Sequence, residues 1–151
     1  MGSEMCIRDS YGVAEDGTNA VITVSRNGGI TQTANVLFST VSGGTAIDGI
    51  NYIGRSQLLT FGPSVTSQTV AIPVIDDTAV NTDRTVNMQL SNPSGPFGTQ
   101  LGAVTQATLT ITNNDATVVA GSVEASFTNS CLLYTSPSPR DLSTSRMPSS
   151  A

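Results

Sequence analysis

Val70-Ala-Ile-Pro-Val-Ile-Asp-Asp-Thr-Ala-Val-Asn-Thr-Asp-Arg-Thr-Val-Asn-Met-Gln-Leu-Ser-Asn92 reads as two strands joined by an acidic loop. Val70, Ile72 and Val74 alternate with Ala71, Pro73 and Ile75, and Val86, Met88 and Leu90 alternate with Thr85, Asn87 and Gln89. A repeat of two is the signature of half-buried strands. Asp76, Asp77 and Asp83 lie between them. Aspartate suits turn backbones, and it also supplies the hard oxygen ligands that calcium prefers, so both readings stand at this point.

Working outward, the rest of the chain repeats the pattern. Tyr11 to Gly17 is the end of a first strand running into a turn; Asn19 to Arg26 is a second strand with Ala20, Ile22 and Val24 on one face, ended by Asn27-Gly28-Gly29. Ala34 to Thr40 is a third, and a polar, glycine-rich connection from Val41 to Ser56 excludes a helix there. Gln57 to Phe61 is a fourth, the opening stretch supplies the fifth and sixth, and Val104 to Thr112 is the seventh. Pro73 cannot donate to a ladder, which calls for an edge, a bulge or a sparing register in the fifth strand. Seven short strands between turn signals predict an all-β, seven-stranded, immunoglobulin-like antiparallel β-sandwich.

Composition narrows the function classes. The chain has 151 residues, 11% of them charged, and a formal net charge of −5. It contains neither lysine nor histidine, which argues against nucleic acid as a partner and against zinc or copper sites. No run approaches the roughly 20 apolar residues of a transmembrane segment. A carboxylate pair acting as acid and base is the only catalytic arrangement to consider, and Asp76 and Asp77 are adjacent, so their side chains diverge along an extended chain. With no nucleophile motif or phosphate-cradling loop, the expectation is a domain that is not an enzyme.

The ends are of another kind. Met1 to Ser10 can be encoded by DNA whose reverse complement translates as Cys-Leu-Leu-Tyr-Thr-Ser-Pro-Ser-Pro, which is Cys131 to Pro139. Both resemble translated sequencing adapter, and Ser145 to Ala151 resembles its flanking primer. Residues 1–10 and 131–151 are accordingly expected to be adapter-derived, 11–115 to be the sandwich, and 116–130 to be a linker or the start of a following module. Cys6 and Cys131 both fall in the adapter-like segments, so no disulfide is inferred. The proline-serine tail is expected to be disordered.

If each connection reverses direction, strands one, three, five and seven finish at one end. Glu15 and Asp16 follow strand one, Asp48 follows strand three, Asp76, Asp77 and Asp83 follow strand five, and Asp115 follows strand seven. Seven carboxylates gathered there, with only Arg55 and Arg84 nearby, repel one another, and a divalent cation offsets that repulsion. The plainer account is that acids collect in wet loops.

Together these residues resemble the Calx-beta domain, a calcium-sensing module of sodium/calcium exchangers and a repeat in an integrin and in many surface and adhesion proteins. The matching pieces are Val13-Ala-Glu15-Asp-Gly17, Ile22-Thr-Val-Ser-Arg26, Thr45-Ala46, Asn51-Tyr52, Leu59-Thr-Phe61, Ile75-Asp-Asp77, Met88-Gln-Leu-Ser-Asn-Pro93 and Leu109-Thr-Ile-Thr-Asn-Asn-Asp115. The resemblance implies calcium ligands at Glu15, Asp76, Asp77 and Asp115, with Asp48, Asn51 and Asp83 as further candidates. Asn51, Asn81, Arg84, Asn113 and Asn114 stand where the family usually carries acids. These departures imply a weak calcium site, or a sandwich that has lost the metal. The resemblance further implies a non-catalytic spacer or adhesion repeat of a larger extracellular or cell-surface protein, its partners being neighbouring repeats in the parent chain and a protein or surface ligand. The alternative is an accessory domain of a secreted enzyme.

Overall fold

The computed structural model describes residues 2–96 and 98–117. Nine strands form among them: β1 (Ser3–Ile7), β2 (Ser10–Ala14), β3 (Asn19–Gly28), β4 (Ala34–Val41), β5 (Ser56–Phe61), β6 (Ser67–Pro73), β7 (Arg84–Ser94), β8 (Gln100–Leu101) and β9 (Gln106–Thr112). They make two sheets, in the orders β6-β3-β1-β8 and β2-β9-β7-β4-β5. The architecture is the expected all-β sandwich, with β1 and the two-residue β8 added to the seven strands read from sequence.

Alternation drives the assembly. Ile22 and Val24 of β3 and Val70 and Ile72 of β6 face Val36, Phe38, Val86, Met88 and Leu109 of the other sheet, and none of these side chains is more than 1% exposed. Burying one such side chain stabilises the fold by about 1.5–3 kcal/mol, while the outward threonines, serines and asparagines keep the outer faces wet. Pro73 is the last residue of β6, an edge strand, paired with Asn19 at the ladder's end; there its missing N–H removes no interior ladder bond.

Two pairings depart from the antiparallel rule. β2 runs parallel to β9, and β1 runs parallel to β8. The chain crosses from one sheet to the other at Arg8–Asp9, so β1 and β2 act as two halves of one split edge. The strands thus begin at Ser3 rather than Tyr11. Ser3, Met5 and Ile7 point inward and Glu4 outward, a period-two pattern that suits a strand whatever DNA encoded it. The compact unit closes at Asp115. The segment expected to be a linker or the start of a following module is described only as far as Thr117, and the tail from Cys131 lies outside the described residues. No helix of the described residues is long and apolar enough to cross a membrane.

One pole of the sandwich is tied by a buried cation. Arg26 is 2% exposed. Its Nε donates to Ser3 Oγ, its Nη1 to the carbonyls of Phe61 and Gly62, and its Nη2 to those of Gly29 and Gln32. The planar fork satisfies all five N–H groups with neutral acceptors drawn from β1, β5 and the turn after β3. Gly28 at that turn has φ 81°, a left-handed conformation that glycine adopts without steric penalty. Replacing Arg26 with alanine leaves several buried carbonyls unpaired. We expect Arg26→Ala to lower unfolding free energy by about 3–5 kcal/mol, and Arg26→Lys by roughly half as much, measured by urea denaturation.

Candidate metal centre

The opposite pole gathers the acids. β2 ends in a single 3-10 turn, Glu15–Gly17. Val13 of β2 pairs in register with Ile111 of β9, and two residues on, the same inward phase carries Glu15, which is 4% exposed. Asp77 follows β6 and Asp115 follows β9. One carboxylate oxygen from each of Glu15, Asp77 and Asp115 lies within 4.8 Å of the other two.

Local hydrogen bonds hold these groups in place. Asp77 Oδ1 accepts the Ala79 N–H at 2.6 Å, closing an Asx turn that aims the loop. Glu15 Oε1 accepts the Asn114 N–H at 3.3 Å, and Asn113 Nδ2 donates to the Asp115 carbonyl at 2.9 Å. The Asn113 N–H donates to Asp83 Oδ1 at 3.1 Å, fastening the start of β7 to the end of β9. Burial pushes the Glu15 carboxyl above its ordinary range; the Asn114 N–H opposes this, and the carboxylates of Asp77, Asp115 and Asp76 add to it.

Two oxygens at this pole are conspicuous. Asp115 Oδ2 and Asn113 Oδ1 are buried and have no hydrogen-bond partner. Buried polar atoms are nearly always paired, and an unpaired carboxylate oxygen beside two other carboxylates is an arrangement that a bound cation would satisfy. With calcium–oxygen bonds of roughly 2.3–2.6 Å, oxygens on opposite sides of one ion lie about 5 Å apart, which matches the observed spread. The donors are all oxygens, the class that calcium takes and zinc does not favour. The donor set fits a calcium ion, which Glu15, Asp77 and Asp115 would hold, with Asn113 offering a neutral oxygen.

The remaining candidates are placed as follows. Asp76 is exposed and outside the tight group, near enough to act on Glu15 by charge. Asp83 accepts from Asn113, as above. Asp48 Oδ1 accepts the Gly54 N–H at 2.7 Å, and Asn51 Oδ1 accepts the Ile47 N–H at 2.9 Å, so both side chains brace the loop after β4. That loop is anchored to the same pole through the Ile75 N–H, which donates to the Asn51 carbonyl at 2.9 Å. Asn113 was readable from sequence only as a substitution for an acid; its inward phase, two residues past Ile111, was the signal for a ligand.

Without divalent ions, Glu15 works against the fold at neutral pH. Its pKa is raised in the folded state, so its contribution is fully present below the ordinary value of 4.5 and is lost as pH rises through the raised value. In chelator, Glu15→Gln should therefore raise the melting temperature at pH 7 and flatten its decline as pH rises above 4.5. A wild-type melting temperature indifferent to this substitution at pH 7 would contradict the reading.

Comparison with known proteins identifies the family of the fold. The sequence model of the Calx-beta domain family matches residues 7–115. The "Sodium/calcium exchanger Calx" of Drosophila melanogaster is 36% identical over 105 residues, covering 70% of this chain and 11% of the exchanger. The chain thus spans about a tenth of that relative. Among solved structures, the apo-form Calx CBD1 domain superposes with a TM-score of 0.71 at 34% identity, covering 76% of this chain and all of that one. The calcium binding domain CBD12 of CALX1.1 gives 0.68 at 34% identity, covering 74% of this chain and 45% of that one. The match over residues 7–115 and the shared sandwich establish that this chain belongs to the Calx-beta domain family.

Proposed function

We propose that this domain binds calcium at the acidic pole and serves as a non-catalytic module of a longer protein. The observation that carries the reading is the buried, unpartnered Oδ2 of Asp115, a residue that also brings a carboxylate oxygen within 4.8 Å of one from Glu15 and one from Asp77. The calcium-binding relative described above supports it.

The mechanism is electrostatic and mechanical. Glu15, Asp77 and Asp115 sit after β2, β6 and β9, on three separate chain segments. An ion shared by them fixes these segments together and removes their mutual repulsion. Asp115 also stands where the compact unit closes, so the ion restricts the hinge toward whatever follows in the parent chain.

The setting we favour is a spacer or adhesion repeat at the cell surface. Its support is charge: Asn81, Arg84, Asn113 and Asn114 leave the site poor in carboxylates. Calcium modules bathed in extracellular calcium work at dissociation constants of about 10⁻⁴–10⁻³ M, whereas sensors work at about 10⁻⁷–10⁻⁵ M. A regulatory, calcium-sensing setting is the second reading, favoured by the 36% identity to an exchanger.

Calorimetric titration separates these cases. We expect binding with a dissociation constant of about 10⁻⁴–10⁻³ M. At tenfold excess, calcium should stabilise the fold by about 1.4 kcal/mol, several degrees in melting temperature. Asp115→Asn should weaken binding by at least about tenfold. A micromolar constant would move the domain to the sensor class, and neither heat nor a melting shift at about 10 mM calcium would remove the calcium reading altogether.

A further inference from the structure

Away from the acidic pole, the strands of the larger sheet present no charged side chain on their outer face. Arg84 is the one charged residue within β2, β4, β5, β7 and β9, and its pairing with the buried Ile111 puts it in the inward phase. The residues that alternate outward are mostly serines, threonines, asparagines and glutamines, with Leu37, Val41 and Leu58 among them.

Pairing sets these side chains in rows. Ser39, Gln89 and Gln106 are successive partners across β4, β7 and β9, and Val41, Asn87 and Thr108 form the next row, two residues along each strand. Neighbouring strands lie about 4.8 Å apart and alternate residues about 6.8 Å apart, so amides and hydroxyls make a lattice on the sheet surface. A cleft of about 470 Å³ opens on it, lined by Asn87, Gln89, Gln106, Thr108 and Val41. Asp9, from the turn before β2, is the one charged residue in the lining. It lies in the adapter-like segment, so the site proper belongs to β4, β7 and β9.

Asn87, in the middle of its row, is held in place. Thr108 Oγ1 donates to its Oδ1 at 3.4 Å, and its Nδ2 lies against Gly43, where a Cβ would come within 3.0 Å of it. Gly43 has φ 108°, so glycine there both permits the left-handed turn and leaves room for the amide. With Oδ1 engaged by Thr108, Nδ2 is the end of the amide offered to a ligand.

An amide carries donor and acceptor on one planar group, and a hydroxyl is both at once. Three amides beside the Thr108 hydroxyl therefore complement a ligand built of hydroxyl groups. An ionised ligand would find no counter-charge on these strands, and there is no cation to track phosphates. The outward residues also include no Trp, Tyr or Arg, the side chains that anchor protein interfaces. We infer that this cleft docks a neutral polysaccharide, hydroxyl by hydroxyl, across the lattice of β4, β7 and β9. Its volume falls in the range of small-ligand sites, about 300–1,000 Å³, which admits a sugar unit while the rows continue beneath its neighbours. No aromatic ring stacks on the sugar, so one domain binds weakly, and repetition along a longer protein multiplies the strength. The site needs no metal and stands independently of the calcium reading.

The test is affinity electrophoresis of the full chain in native gels cast with galactomannan, xyloglucan, mixed-linkage β-glucan or dextran, all in chelator, with alginate as the anionic control. At least one neutral polysaccharide should retard the unsubstituted chain. Asn87→Ala and Gln106→Ala should each weaken that binding about threefold to tenfold, the worth of one or two hydrogen bonds. Thr69→Ala, exposed on the other sheet, should leave it unchanged. Retardation by none of the neutral polysaccharides overturns the proposal, and so does retardation that Asn87→Ala and Gln106→Ala leave intact. Retardation by alginate alone overturns it too, because that ligand is charged. Retardation that appears only when calcium replaces the chelator belongs to the acidic pole and likewise overturns it. Gln106 is exposed, so Gln106→Ala carries the comparison should Asn87→Ala fail to fold.

Discussion

The apolar layer shared by the two sheets is the constraint from which the rest follows. Ile22, Val24, Val70 and Ile72 on one side and Val36, Phe38, Val86, Met88 and Leu109 on the other are all but excluded from water. A one-residue slip of any strand would expose its whole set, so the layer specifies every register. Register in turn specifies where each strand stops. β2, β6 and β9 stop at one pole, and the residues next in phase after their inward faces become the lining of that pole.

The two poles are electrostatic opposites. Arg26 closes one with a single buried charge whose five donors meet neutral carbonyl and hydroxyl oxygens. Such a cation is fully hydrogen-bonded and needs no counter-ion. The other pole is unfinished by the same standard, because carboxylates converge there and two oxygens and one guanidinium nitrogen remain unpaired. A structural pole is complete in the protein alone, whereas a binding pole leaves valence for something else. This contrast within one small domain is the physical basis for assigning function to the acidic end.

Much of the fold was legible because burial imposes a period of two and turns impose glycine, asparagine and proline. The missing donor of Pro73 called for an edge, a bulge or a sparing register, and the structure took the end of an edge-strand ladder. The convergence of Glu15, Asp77 and Asp115 followed from parity, since strands that reverse at each connection return every second end to the same side. The split of the first strand was not legible. Whether Ser3 to Ile7 joins one sheet while Ser10 to Ala14 joins the other depends on which edges are vacant, and those edges belong to β3 in one sheet and to β9, near the far end of the domain, in the other.

The residues of the chain dictated the strands, the inward faces and the chemical class of the site: oxygen donors, with no histidine. Composition and spacing carry that much because side-chain alternation and ligand hardness are local properties. Only the tertiary structure decided which acids meet. Asp48 and Asn51 turned out to spend their oxygens on the N–H groups of Gly54 and Ile47, while Asn113 and Asp115 kept theirs free. An oxygen's availability depends on the donors that packing brings within reach, and those donors come from residues distant in sequence as often as from near neighbours.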